Sequence, residues 1–238
     1  MPDIPVPRNV LAIGAHPDDI ELGVGGTLAQ HTSIGDNVTM LVMTGGELGT
    51  PESGDRIEEA RNAAAILGAT ITFGPFTDGH VPLTSQTVNV IEDTITTRNI
   101  DTVYVHSGAD AHQDHMLVSR ATIAAGRRLR RILFYQSPST TEFNPTVFVD
   151  ITEHMDQKLA ALSCHHTQLE HSPTVDLNVT EAAAVYWGSR GRLPKAEGFE
   201  PYRFAWNIAP RLKEEPQPWD GVERRHTPRS VTTTKDSA

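Results

Sequence analysis

The chain has 238 residues, 30 of them acidic and 20 basic, with a formal net charge of -10. That length fits one domain, or one domain with a short appendage, and 38% hydrophobic against 21% charged residues excludes a wholly disordered chain. The acidic balance argues against a broad phosphate-binding face. No apolar run reaches the roughly 18 residues of a membrane span, and the start, MPDIPVPRNV, lacks the basic and apolar regions of a secretory leader. One cysteine, Cys164, cannot form an internal disulfide. A cytoplasmic protein is expected.

NVLAIGA (9–15) reads as a buried strand, GVGGTLAQHTSIG as a helix with Leu28 and Ala29 on one face, and NVTMLVMT (37–44) as a second strand, together a βαβ unit. The loop TGGELGTPESG (44–54) holds four glycines and one proline. DRIEEARNAAAILG (55–68) predicts a helix capped by Asp55 with Glu58 three places on, an apolar stripe of Ile57, Ala60, Ala64 and Leu67, and a stop at Gly68. ATITF (69–73) is a third strand, the Thr-rich 84–100 a helix, and DTVYVHS (101–107) a fourth strand. HMLVSRATIAAGRR (115–128) predicts a helix and RILFYQS (131–137) a fifth strand. This alternation predicts an α/β fold, a mostly parallel sheet with helices on both faces. A smaller C-terminal extension follows. NPTVFVDIT reads as an edge strand, and EHMDQKLAALSCHH and VTEAAAVYWGSRG as helices, the first with Ile151, Met155, Leu159 and Leu162 near one face. Residues 1–209 are expected to form the domain, and the polar 210–238, with four prolines, a loosely attached or disordered tail.

Ligands in parallel α/β sheets sit outside the carboxyl ends of the strands, and three loops there carry chemistry. AHPDDIELGVGG crowds His16, Asp18, Asp19 and Glu21 within six residues. Adjacent carboxylates repel unless something positive joins them, and a divalent cation is the economical answer. His16 and Asp19 are suited to ligate it, with Asp18 left free. Alone, the motif is equally a helix-capping cluster beside a surface histidine. SGADAHQDHML places Asp110, His112, Asp114 and His115 after the fourth strand. One imidazole from here completes a set of two histidines and a carboxylate with open positions, as in catalytic zinc sites. Alone, this too reads as a solvated acidic loop; two such clusters at one sheet edge favour the metal. The third loop, 44–54, fits phosphate only weakly, since no Walker spacing or GxGxxG accompanies it. Arg56 after it is a candidate anion or sugar contact, or an ordinary ion pair. HExxH, CxxC and GxSxG do not occur, and Cys164 reads as a structural thiol. An iron-dependent oxygenase uses a similar ligand set but usually on an all-β barrel. A non-catalytic sugar or nucleotide binder has no need of the free carboxylate of Asp18.

At these residues the chain resembles the LmbE-like (PIG-L) de-N-acetylase family, over roughly 8–205. The strongest marks are AHPDDIELGVGGTLA and DAHQDHMLVSRA. RIEEARNAAAILG, FTDGHVPL and KLAALSCHHTQ are similar to further family segments. The resemblance implies a Rossmann-like fold and zinc-dependent removal of an acyl group, acetyl above all, from an amino sugar such as an N-acetylglucosamine derivative. It implies Zn2+, or another divalent cation, on His16, Asp19 and His115. Asp18 would be the general base, His112 would stabilise the oxyanion or protonate the leaving amine, and Asp114 would orient His112. Arg56, Asp78, Asp110 and either His165 or His166 are implied in substrate contacts. Amide cleavage of a thiol conjugate or an antibiotic precursor is the alternative within the hydrolases. Asp110 stands where thiol-biosynthesis members have Tyr, and His106 where Pro is more usual. The implied partner is a small N-acyl amino sugar rather than nucleic acid, and because several members assemble, a homo-oligomer is implied as well.

Overall fold

A computed structural model describes residues 7–49 and 55–206; the predicted tail 210–238 lies outside them. The chain forms β1 (Asn9–Gly14), α1 (Asp19–Ser33), β2 (Asn37–Thr44), α2 (Arg56–Leu67), β3 (Thr70–Phe76), α3 (Ser85–Thr97), β4 (Thr102–His106), α4 (Gln113–Ala125) and β5 (Arg131–Tyr135). There follow β6 (Val147–Asp150), α5 (Met155–Leu162), α6 (His166–His171), α7 (Leu177–Gly191) and β7 (Ala196–Phe204).

The strands form one seven-stranded sheet in the order β3-β2-β1-β4-β5-β7-β6. β1 to β5 pair in parallel, and β7 runs antiparallel to both β5 and β6. Alternation along each strand sends its side chains to two cores. Val10 and Ala12 of β1, Met40 of β2 and Leu133 of β5 face Ile20, Val24 and Leu28 of α1 and Leu67 of α2. Leu11, Ile13, Leu41 and Val105 face Ile91 of α3 and Val118 and Ala121 of α4. Burying both faces explains why the central strands read as continuous apolar runs.

The order reverses direction between β1 and β4. The crevice beyond their carboxyl ends is therefore the switch point where α/β sheets bind ligands, and the HPDD and DAHQDH segments flank it.

Three expectations change. Ile57 is 38% exposed, and the face of α2 that packs inward is Arg56, Ala60, Ala63, Ala64 and Leu67. The single helix expected over 153–166 is a 3-10 turn at Thr152–His154 and α5, with α6 starting afresh after His165. β7 is not among the expected elements: its glycine, proline and two glutamates mask a strand whose first four residues are buried. The caps of α2 agree with the sequence, since Asp55 accepts from the Glu58 N–H at 3.1 Å and Gly68 takes φ 69°.

Candidate metal centre and active site

The chain leaves β1 through Ala15, His16 and Pro17 and enters α1 at Asp18, which adopts φ 103°. That conformation is costly for a residue with a Cβ, roughly 1–3 kcal/mol, and such strain clusters at functional sites. Arg56 braces the elbow. Its Nη2 donates to Pro17 O at 2.6 Å and lies 3.4 Å from Asp18 Oδ2, while Nη1 donates to Gly46 O at 3.1 Å. The guanidinium also explains two glycines of the 44–54 loop. A Cβ at Gly46 would lie 2.5 Å from Arg56 Nη1, and one at Gly49 2.8 Å from it. The described part of this loop is wrapped around an internal arginine, so Arg56 acts on the HPDD elbow as well as lining the cleft.

His16, Asp19 and His115 meet beneath this elbow. His115 Nε2 is 3.3 Å from His16 Nδ1 and 3.4 Å from Asp19 Oδ1, and His16 Nδ1 is 3.4 Å from Asp19 Oδ2. A tetrahedral ion with bonds of about 2.0–2.1 Å sets its ligand atoms about 3.3–3.4 Å apart; the two histidine nitrogens stand at that spacing, and each has a different oxygen of Asp19 at it. Candidate ligand groups overlap here: His16, His112 and His115; Asp19, His106 and His115; and His16, Asp78 and Asp114. Carboxylates are concentrated around these imidazoles. Burial opposes protonation of His16, but Asp114, Asp19 and Asp78 outweigh it and raise its pKa to about 12. Burial and the charge of Asp19 push the Asp18 carboxyl up to about 7, with Arg56 opposing.

Two expected orientations are corrected. The Asp114 carboxylate does not hold His112: it accepts from the N–H groups of Gly79 (2.7 Å) and Val81 (3.2 Å) and lies 3.4 Å from His16 Nε2. His112 instead caps α4, its Nδ1 accepting from the Asp114 N–H at 3.3 Å. That bond leaves the ring proton on Nε2. Burial, and then the charge on His115, lower the His112 pKa, so a neutral imidazole is favoured. Nor does Asp110 face the cleft. It accepts from the hydroxyls of Ser137 (2.6 Å), Ser139 (2.7 Å) and Thr140 (3.1 Å), and stands 3.2 Å from His115 Nδ1. It orients a candidate ligand, the common arrangement behind metal-binding histidines.

Asp78 lies on the cleft wall, 2.9 Å from His16 Nε2, and accepts from the Leu48 N–H. Of the two adjacent histidines the buried one is His165, 3.1 Å from Glu21 Oε1, while His166 is exposed. His106 carries more than the sequence showed. Fully buried, it stacks on His115 at 3.8 Å, accepts from the Ala15 N–H and sits 3.1 Å from Asp19 Oδ2. Burial drives its pKa down to about 4. The sequence marks it only by its place at the end of the β4 run and by its standing where Pro is more usual.

His16, Asp18, Asp19, His112 and His115 line one open cleft of about 800 Å³, whose walls include Asp78 and Gln168. A buried carboxylate beside a cluster of candidate metal ligands, with an imidazole N–H in the same cleft, has the groups that activation of water against a carbonyl requires.

The PIG-L profile, GlcNAc-PI de-N-acetylase, matches residues 11–126, from β1 through α4. The chain is 42% identical over 168 residues to the uncharacterized deacetylase YaiS of Escherichia coli K12, covering 66% of this chain and 90% of that protein. It is 29% identical over 192 residues to a diacetylchitobiose deacetylase of Thermococcus kodakarensis, 68% of this chain and 70% of the other. Among solved structures, a conserved protein of Thermus thermophilus superposes with a TM-score of 0.76 at 28% identity, over 84% of this chain and 97% of that one. The chain belongs to the PIG-L (LmbE-like) deacetylase family. None of the helices among the described residues is long and apolar enough to cross a membrane.

Proposed function

We propose that this protein is a zinc-dependent hydrolase that removes the acyl group from the nitrogen of an amino sugar or glycoside. The observation that carries this is the convergence of His16, Asp19 and His115 at ligand spacing beside the buried carboxylate of Asp18. The relatives add support, since one is named for deacetylating diacetylchitobiose and the family for GlcNAc-PI.

His16, Asp19 and His115 would hold the cation, which supplies polarisation of the amide carbonyl and a lowered pKa of the attacking water. Asp18 takes the proton of that water as its oxygen adds to the carbonyl carbon. The negative oxygen of the tetrahedral intermediate accepts from His112 Nε2–H; loss of one such donor in other enzymes costs about 10²–10³ in rate. Asp18 then returns its proton to the nitrogen, the C–N bond breaks, and a free amine and a carboxylic acid leave, the proton of the acid passing to the amine or to solvent. A neutral His112 serves as donor throughout. Arg56 keeps Asp18 in its strained conformation, and Asp78 and Gln168 on the cleft wall are placed to meet sugar hydroxyls.

The test is incubation of zinc-loaded protein with N-acetylglucosamine, N,N'-diacetylchitobiose and a thiol-linked N-acetyl conjugate, reading primary amine and acetate. Equal release of both products is expected from the sugars. Intact substrates after prolonged incubation of metal-loaded, folded protein would overturn the reading.

A further inference from the structure

A second chamber of about 230 Å³ lies between α7 and the β5–β7 side of the sheet, and it shares Leu22, Pro138 and Thr174 with the catalytic cleft. We propose that this chamber receives the hydrocarbon chain of the substrate's acyl group, so that N-acyl groups longer than acetyl are preferred. The proposal rests on the hydrolase reading above and names its substrate more closely.

Its walls select hydrocarbon. Leu22, Val179, Ala183, Ala184 and Trp187 supply apolar surface. The polar side chains among them are engaged with each other or with the frame. Trp187 Nε1 donates to Gln136 Oε1 at 3.2 Å, the Ser137 hydroxyl to Asp110 at 2.6 Å and the Thr180 hydroxyl to Asp176 O at 2.8 Å, while Lys158 is paired with Glu197. A polar ligand would have to compete with these bonds, whereas a hydrocarbon displaces none of them. Size points the same way. A cavity of about 150 Å³ holds the six carbons of a benzene ring, so this chamber of about 230 Å³ has room for the chain of a hexanoyl group.

Position assigns the chamber to the acyl side. The Leu22 N–H donates to Asp18 O at 3.0 Å, so the residue shared by both spaces stands one helical turn from the proposed base. A carbonyl carbon beside Asp18 has two substituents to place. The sugar suits the polar wall with Asp78 and Gln168, which leaves the acyl chain to pass Leu22.

The experiment compares N-acetyl-, N-butanoyl- and N-hexanoyl-glucosamine on the zinc-loaded enzyme. Burial of each methylene is expected to raise kcat/KM about fourfold. Ala183→Phe puts a ring into the chamber from a solvent-exposed position, and the hexanoyl-to-acetyl ratio should fall back towards one. A flat or falling profile in the native enzyme, or a ratio that Ala183→Phe leaves intact, overturns the proposal while acetyl release upholds the hydrolase reading. If no substrate releases amine, that reading fails on its own. Calorimetric binding of the same compounds to the Asp18→Ala protein then judges the chamber: tighter hexanoyl than acetyl binding supports it, and equal affinity overturns it.

Discussion

Asp110→Asn tests how the metal centre is oriented. Five donors converge on this carboxylate: His112 N–H (2.8 Å) and the Ser139 hydroxyl on Oδ1, and the Ser137 and Thr140 hydroxyls and His115 Nδ1 on Oδ2. An amide keeps one acceptor and gains two donors. Hydroxyls can rotate to accept, but the backbone N–H of His112 cannot, so the amide oxygen must stay on its side. The new NH2 then faces His115 Nδ1 and forces that nitrogen to accept. The imidazole proton moves to Nε2, the nitrogen that faces His16 and Asp19, and a protonated nitrogen cannot ligate. Losing such a partner costs about 10–100-fold in metal affinity, or about 1.4–2.8 kcal/mol at 1.4 kcal/mol per tenfold. Zinc affinity read by competition with a chromophoric chelator measures the loss, and the ¹⁵N shifts of His115 in the zinc-free protein report the tautomer. Zinc affinity within twofold of native, or Nε2 of His115 unprotonated in the variant, would refute the reasoning.

Asp18→Ala should retain zinc while turnover falls about 10²–10⁴-fold, the usual worth of a positioned base; metal content beside amine release checks it, and near-native turnover would reject the assignment. Gly23→Ala would set a Cβ 2.2 Å from Tyr135 Cδ2, in a ring whose hydroxyl donates to Ile13 O at 2.7 Å. A loss of about 1–3 kcal/mol from overpacking is expected in urea denaturation. Burial raises the Asp36 pKa, but the bond to His31 and the Arg8 N–H bring it below the ordinary carboxylate value. Its contribution is therefore present above a pH of about 3.9 and fades as pH falls through the folded-state pKa. Asp36→Asn should thus cost stability at pH 6, and the gap to native should close as the pH falls below about 4; a gap in urea denaturation that persists unchanged in acid would reject the assignment.

The parallel half of the fold was readable because its buried strands are mostly apolar runs and α2 carries its own caps. The two loops that carry the candidate metal ligands were readable because charged residues crowd where a strand ends. What stayed hidden depends on contacts between distant segments. Nothing local in Asp110 says that Ser137, Ser139 and Thr140, some thirty residues on, will turn it towards His115. The Asp114 carboxylate is claimed by the turn at Gly79 and Val81, which spacing within DAHQDH cannot reveal. His106 hides by ending an apolar strand. β7 is missed because it pairs with β6 only over Ala196–Phe199 and with β5 only over Glu200–Phe204, so Pro201 falls beyond the β6 pairing and beside a register break against β5, where a proline is tolerated.

The late part of the chain also explains the glycines of α1. In the middle of that helix the N–H groups of Gly26 and Thr27 donate to the two oxygens of Glu197, at 3.0 and 2.7 Å, across 171 and 170 positions. Lys158, paired with Glu197, donates to Leu22 O at 2.7 Å, the carbonyl that Gly26 N–H reaches in a regular helix. A Cβ at Gly26 would stand 2.8 Å from Ile151, and one at Gly25 would already touch Lys158 at 3.4 Å. GVGG is thus a landing surface for Glu197 of β7, Lys158 of α5 and Ile151. A buried ion pair of this kind adds little net stability, because desolvation offsets its attraction. What it does here is fix α1 along its axis. Asp18 and Asp19 open that helix, so its position sets their distance from His115, and the geometry of the candidate metal cluster depends on a Lys158–Glu197 pair that lies outside it.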